Sequence, residues 1–277
     1  MTKNILPQTP YAEVIGDPIA HSKSPLIHKF WLEKLAMEAD YRACHVSAAE
    51  LPGYIEQRSA DPDWRGCNVT IPHKIAMLDL VADPGGVREK IGAMNTIVRQ
   101  ADGSLMGTNT DAAGFLAPIA DSDWSRKHAV VIGAGGAARA VLFALKQAGI
   151  GEITIVARNG LKATGLLVQA SVKGGVLPMD ARLPKADLLI NASPLGMTGK
   201  PPLEVDLDPL PGDALVYDLV YAPLETKLLR AAKKRELAVV DGLDMLIGQA
   251  ALAFELFFGA TPPMEHDEEL RKLLVAG

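Results

Sequence analysis

Short apolar runs alternate with stretches of helical apolar spacing along most of this chain, a pattern that predicts an α/β protein. Residues 11–15 read as a strand that stops at Gly16-Asp17-Pro18, and a helix follows Ser24 and Pro25. Ser24 is a fitting N-cap, Pro25 takes the first helical position, and Leu26, Ile27, Phe30, Trp31 and Leu35 supply the apolar face. Residues 41–46 predict a second strand, 48–58 a helix, and 64–70 a third strand stopped by Ile71-Pro72. Helices are expected over 74–80 and 87–91. Residues 95–99 and 104–108 flank Ala101-Asp102-Gly103 as the arms of a hairpin.

A helix from Asp111 leads toward the most regular signal in the chain. Residues 128–132 read as a buried parallel strand. Residues 139–148 place Val141, Leu142, Leu145 and Ala148 at helical spacing, with Gly149 as a stop. Between them lies Gly133-Ala134-Gly135-Gly136-Ala137-Ala138. Gly133 permits a tight turn, Gly135 lets the backbone approach a pyrophosphate, and Ala138 is small enough to sit where the helix packs on the strand. The helix N-terminus then offers its N–H groups to phosphates. In that strand–turn–helix context the string predicts a dinucleotide site. Further strands are expected at 152–157, 176–177, 188–191, 214–219 and 237–240, and helices at 161–170 and 224–235. Residues 196–211, rich in Pro, Gly and acidic side chains, predict a surface loop. A last long helix, 243–258, is apolar on most faces and is expected to be buried.

Composition narrows the partners. At 277 residues, 48% hydrophobic and 22% charged, the chain can fill one large domain or two ordinary ones. A net charge of -5 leaves no electrostatic footprint for nucleic acid or an anionic membrane. Cys44 and Cys67 have neither metal-like nor redox-like spacing and read as buried free thiols in a reducing compartment. No signal-peptide core opens the sequence and no apolar run approaches membrane-spanning length, so a cytoplasmic location is expected.

Polar clusters fall at the predicted strand ends of the first half. Ser22 and Ser24, beside a helix start, suit a carboxylate through O–H and N–H donors, or Ser24 simply caps the helix. Asn68, Thr70 and Lys74 lie where open α/β sheets hold ligands. Lys74 there is either a solvated charge or a proton donor. Asp111 is either an N-cap or the partner of Lys74. His21, His28 and His73 lie nearby without metal-ligand spacing and read as satisfied structural or surface histidines, so no metal is expected.

Together these stretches resemble the shikimate dehydrogenase family, in order and over nearly the whole chain. The resemblance runs through Gly16-Asp17-Pro18-Ile19-Ala20-His21-Ser22-Lys23-Ser24-Pro25, Asn68-Val69-Thr70-Ile71-Pro72-His73-Lys74, Gly92-Ala93-Met94-Asn95-Thr96 and Asn109-Thr110-Asp111. It continues through the glycine turn, Asn191-Ala192-Ser193-Pro194-Leu195-Gly196-Met197, Asp218-Leu219-Val220-Tyr221 and Asp241-Gly242-Leu243. It implies reversible reduction of 3-dehydroshikimate to shikimate with a nicotinamide cofactor. On the matching positions, Ser22, Ser24 and Thr70 would hold the substrate carboxylate. Asn68, Asn95, Asp111 and Gln249 would bind ring hydroxyls, with Tyr221 also in the substrate set. Lys74 and Asp111 would be the catalytic pair.

The cofactor is read from the end of the second strand of the nucleotide half. An NAD-preferring fold places an acid there. This chain has Ala157-Arg158-Asn159, and Arg158 with Lys162 is suited to a 2′-phosphate. NADP is therefore expected, on Gly133, Gly135, Gly136, Ala137, Ala138, Arg158, Asn159 and Lys162. Ser193, Met197 and Leu219 would border the nicotinamide, with Gly242 as a backbone able to approach its amide. The expected architecture is two α/β domains. A discontinuous substrate domain with a mixed sheet takes 1–105 and 240–277, and a Rossmann-type NADP domain takes 106–239. A cleft between them would hold the site, in a monomer or homodimer acting on a small molecule. An NAD-using quinate/shikimate dehydrogenase and a catalytically silent nucleotide-binding regulator are the alternative readings.

Overall fold

The computed structural model describes residues 9–276 and divides into two units. The first takes the residues up to 88, 92–110 and 250 onward, and the second takes 89–91 and 111–249. The sequence sets the corresponding limits at 105/106 and 239/240.

The first unit runs β1 (Tyr11–Gly16), α1 (Ser24–Lys34), β2 (Asp40–His45), α2 (Leu51–Ser59) and β3 (Trp64–Val69), then the short α3 (Val87–Lys90), β4 (Thr96–Arg99) and β5 (Leu105–Thr108). Its sheet has the order β2-β1-β3-β4-β5, parallel among the first three strands and antiparallel at β4 and β5. Every position of β1 is buried, as a strand paired on both edges and covered on both faces requires. Its one charge, Glu13, is 1% exposed and fully engaged. Arg58 donates to both its oxygens at 2.8 and 3.0 Å, and the Tyr54 hydroxyl donates at 2.7 Å. A buried carboxylate without such partners would be prohibitively destabilising.

Two local expectations fail here. Ser24 is the first helical residue of α1 and not its cap: Lys23 occupies the cap position, and the Ser22 oxygen accepts from the Ser24 N–H at 3.3 Å. Residues 74–80 form turns and one 3-10 segment, Ala76–Asp79, instead of an α-helix. The Lys74 carbonyl, which helix propagation would need, accepts from the Met94 N–H at 2.8 Å.

The second unit runs α4 (Asp111–Leu116), β6 (His128–Ile132), α5 (Gly136–Gln147), β7 (Glu152–Val156), α6 (Gly160–Ala170), β8 (Gly174–Leu177), β9 (Leu188–Asn191), β10 (Leu215–Asp218), α7 (Lys227–Lys234) and β11 (Ala238–Val240). The sheet is wholly parallel, in the order β11-β10-β9-β6-β7-β8. Strand order reverses between β6 and β9, so the carboxyl ends of those strands form the switch point where this architecture binds nucleotides. The connection 196–211 is not all surface: Leu203, Leu207 and Leu210 pack into the core with Val216 and Leu228.

α8 (Gly242–Phe258) continues from the second unit into the first. Its buried line is Leu243, Ile247, Ala250, Phe254 and Phe257, while Leu252 and Leu256 are 38% and 42% exposed. The helix is therefore amphipathic, and less enclosed than its composition suggests. α9 (Asp267–Ala276), which the sequence reading did not include, follows it. It buries Leu270 and Leu274, and its Glu269 pairs with Lys34 of α1 at 2.7 Å. Cys67 is a buried free thiol, whereas Cys44 is only half-buried. Among the described residues no helix is long and apolar enough to cross a membrane.

Candidate active site

In the first unit, the loops after β1 and β3 lie against each other because residue 16 has no side chain. A Cβ at Gly16 would fall 2.6 Å from the Thr70 methyl and 2.9 Å from the Ile71 carbonyl. Backbone bonds fasten the loops, Thr70 N–H to the Ile15 carbonyl at 2.9 Å and Asp17 N–H to the Ile71 carbonyl at 3.1 Å. Ser22 and Ser24 follow the first loop and Thr70 sits in the second, so the residues expected to hold a carboxylate hang from neighbouring strand ends.

A buried polar chain continues from them. The Tyr41 hydroxyl donates to Asn68 Oδ1 at 2.6 Å. Asn68 Nδ2 donates to Thr96 Oγ1 at 3.1 Å and to the Asn95 carbonyl at 3.4 Å. Thr96 Oγ1 donates to Asn95 Oδ1 at 3.0 Å, and Asn95 Nδ2 donates to Thr110 Oγ1 at 2.9 Å. Asn68, Asn95, Thr96 and Thr110 are each 5% exposed or less. Both amide protons of Asn68 are thus given to protein acceptors, so this residue shapes the site through Thr96 and Asn95 more than it offers donors to a ligand. Lys74 is tied to the same strand end by the bond from the Met94 N–H to its carbonyl.

In the second unit, Asp111 opens α4 and is 4% exposed. α4 meets α8 through glycine. A Cβ at Gly114 would lie 2.6 Å from the Gln249 backbone nitrogen, and one at Gly248 would lie 3.2 Å from the Gly114 Cα. This close approach locks the helix that carries Asp111 to the one that carries Gln249. Gln249 is 8% exposed and donates from Nε2 to the Leu246 carbonyl at 2.9 Å.

The glycine turn joins β6 to α5. Gly133 has φ +116, and a Cβ there would meet the Ala192 carbonyl at 2.8 Å, so the turn demands glycine for both conformation and space. Gly135 behaves differently. A Cβ built on it meets nothing within 4 Å. Its smallness serves no neighbour in the protein and leaves open the space before the N-terminus of α5, as a pyrophosphate there would need. Gly136 and Ala137 form the first turn, whose N–H groups lack intrahelical acceptors. Ala138 is fully buried where the helix packs.

After β7, Arg158 and Lys162 are both exposed, and no ion pair among the described residues holds Arg158. No acid stands at this strand end to accept from a ribose hydroxyl, so the donor set fits a 2′-phosphate. Asn159 has a structural duty as well: its side chain caps α6 by accepting from the Lys162 N–H at 2.9 Å. Ser193 is likewise engaged, donating to Asn191 Oδ1 at 2.7 Å and accepting from the Leu195 N–H at 3.2 Å. Gly242 is required by its own surroundings, since a Cβ would fall 2.5 Å from the Leu219 carbonyl. Met197 is exposed, and Leu219 and Tyr221 are half-buried. Burial pushes the Tyr221 hydroxyl above its usual range.

The sequence reading missed the groups that organise these loops. Fully buried Asn191 donates to Asp218 Oδ1 at 2.8 Å, and Asp218 also accepts from the Val220 N–H and, at 2.6 Å, from the Thr226 hydroxyl. Burial raises the Asp218 carboxyl against these bonds. A polar residue ending an apolar strand, as Asn191 and Asp218 do, was the available signal. Thr96 and Thr110 were likewise visible only as members of motifs, and Tyr41 only as the start of a predicted strand.

Of the three nearby histidines, His21 is exposed and buried His73 has Nε2 2.6 Å from the Val46 carbonyl. His28 departs from the expectation of a satisfied histidine. It is fully buried, neither ring nitrogen has a hydrogen-bond partner, and it stacks on Tyr41 at 3.9 Å between centroids. Among the described residues no three His, Cys, Asp or Glu are placed to hold a metal ion.

Residues 14–97 match the family model of the shikimate dehydrogenase substrate binding domain, and 242–269 match that of the shikimate 5'-dehydrogenase C-terminal domain. A shikimate dehydrogenase (NADP(+)) of Sphingopyxis alaskensis is 66% identical over 97% of this chain and 98% of its own. Among solved structures, shikimate 5-dehydrogenase of Thermus thermophilus in complex with NADP(H) and shikimate has a TM-score of 0.84 and 36% identity, covering 96% of this chain and 99% of that one. A quinate dehydrogenase of Corynebacterium glutamicum in complex with NAD has a TM-score of 0.83 at 27% identity, over 96% of this chain and 99% of that one.

Proposed function

This chain belongs to the shikimate dehydrogenase family and catalyses the NADP-dependent, reversible reduction of 3-dehydroshikimate to shikimate, and from that premise we propose how its own residues carry the reaction. NADPH, when bound, supplies the hydride that adds to the ketone carbon. The carbonyl oxygen must then gain a proton, and the protein has to provide the acid. Lys74 is that acid: its ammonium stabilises the alkoxide as charge develops on oxygen and transfers a proton to it. Asp111 holds the substrate hydroxyl and shares the proton balance with Lys74, and in the oxidation direction the pair takes the proton back.

Ser22, Ser24 and Thr70 bind the substrate carboxylate, and Asn95 and Gln249 bind ring hydroxyls, with Tyr221 beside them. Gly133, Gly135, Gly136, Ala137 and Ala138 form the pyrophosphate turn, and Arg158 with Lys162 takes the 2′-phosphate. The observation that most supports the assignment is the tethering of Lys74 by the Met94 N–H, directly before Asn95 and its buried hydrogen-bond chain. It fixes the lysine's backbone to the strand end that carries substrate-binding groups. Lys74→Ala is expected to lower kcat by roughly 10²- to 10⁴-fold, the usual contribution of a positioned acid, while shikimate affinity changes far less. Stopped-flow and steady-state rates measure both. Unchanged turnover would remove Lys74 from the chemistry.

A further inference from the structure

The polar chain in the first unit has a direction, and two backbone groups set it. The Asn95 carbonyl can only accept, so the Asn68 atom facing it at 3.4 Å is the amide nitrogen. Asn68 Oδ1 is therefore the atom turned to Tyr41, and the tyrosine hydroxyl must donate to it at 2.6 Å. At the other end the Thr110 N–H can only donate, and it does so to Asn95 Oδ1 at 2.7 Å. Between these limits Thr96 Oγ1 accepts from Asn68 and passes its own proton to Asn95 Oδ1. The Asn95 amide then gives a proton to Thr110 Oγ1.

Tyr41 is the head of this chain and is itself immobilised. It is completely buried, with the His28 ring parallel to its own within 2°. Trp31 and Phe254 close on His28, with ring centroids 5.7 and 5.8 Å from it, and Phe257 lies 6.4 Å from Tyr41. The histidine nitrogens have no hydrogen-bond partner, so His28 does not compete for the tyrosine hydroxyl. The hydroxyl's hydrogen bond goes to Asn68 at 2.6 Å, a predicted substrate position.

We propose that Tyr41 is a positioning residue for substrate: its hydroxyl holds in place the Asn68 amide, whose sense the Asn95 carbonyl sets, and through Thr96 it steadies the Asn95 amide that binds a ring hydroxyl. This rests on the assignment of Asn95 to the substrate site. Without the Tyr41 hydroxyl, Asn68 Oδ1 is a buried acceptor lacking its donor, and the amide is held only through its nitrogen. The aromatic packing would be untouched in Tyr41→Phe.

The test is steady-state kinetics of Tyr41→Phe, Thr96→Val, their double variant and Asn95→Ala, with thermal melting of each. The expected result is a rise of about three- to tenfold in KM for shikimate in each of the two single variants, with KM for NADP unchanged. The double variant is expected to be no worse than the weaker single, because both interrupt one chain. A Tyr41→Phe enzyme with lowered Tm and wild-type KM for shikimate, beside an Asn95→Ala enzyme whose KM has risen, overturns the proposal and leaves the site assignment standing. Additive effects of Tyr41→Phe and Thr96→Val also overturn it. An unchanged KM in Asn95→Ala refutes the site assignment instead.

Discussion

Acidification should destabilise this protein through His28 well before its carboxylates are protonated. The ring is fully buried among Tyr41, Trp31, Phe254 and Phe257, and burial alone lowers its pKa to about 3. Unfolding returns it to the ordinary value of 6.5. Above that value the imidazole is neutral in both states and contributes no pH dependence. Between 6.5 and 3 the unfolded chain binds a proton that the native protein refuses, so stability is lost as pH falls through this window. Each pH unit is worth about 1.4 kcal/mol, which makes the loss from this one residue about 2 kcal/mol at pH 5. His28→Phe keeps an aromatic ring against Tyr41 and removes the titration. Urea unfolding at constant ionic strength, read by fluorescence to which Trp31 and Trp64 of the same unit contribute, gives the stability of each protein at pH 7.5, 6 and 5. Any packing penalty of the larger ring is the same at every pH. The variant is expected to gain about 2 kcal/mol on wild type between pH 7.5 and pH 5. Parallel stability curves would refute the reasoning and show that His28 is hydrated or protonated in the native state.

Two further substitutions probe the cofactor half. Arg158→Gln removes the exposed guanidinium beside the end of β7, and KM for NADP is expected to rise roughly ten- to a hundredfold while KM for NAD stays within about twofold, read in parallel assays with the two cofactors. Gly133→Ala puts a Cβ 2.8 Å from the Ala192 carbonyl at φ +116, a strain of about 1–3 kcal/mol that melting should show as a lower Tm, together with weaker stabilisation by added NADP.

Much of this fold is legible in the sequence because its strands are buried on both faces. β6 and β9 occupy the expected residues, His128–Ile132 and Leu188–Asn191, as uninterrupted apolar runs must when helices cover a parallel sheet. The Asp102-Gly103 turn marked the β4–β5 hairpin for an equally local reason. Local signals failed where distant groups intervene. Ser24 looked like a cap until the preceding loop supplied the Ser22 oxygen. The segment after Lys74 has helical composition, but Met94 takes the carbonyl that a helix would use. α7 begins at Lys227, later than expected, because Thr226 caps it by accepting from the Leu229 N–H while donating to buried Asp218. α9 carried its own signal in the acidic run Asp267-Glu268-Glu269, suited to a helix start. The residues proposed for catalysis and binding were legible as motifs. Their support was not, since the chain from Tyr41 to Thr110 depends on β2, β3 and β4 being assembled. Glycines 114 and 248 are equally silent until α4 and α8 meet.

The central claim is an NADP-dependent reaction on shikimate, and a single set of rates tests it most directly. Measuring kcat/KM for shikimate and for quinate, each with NADP and with NAD, compares the four pairings under one condition. Shikimate with NADP is expected to exceed shikimate with NAD by roughly tenfold or more, because Arg158 and not an acid follows the end of β7. Quinate with NAD as the fastest pairing would contradict both the cofactor assignment and the reading of the substrate site.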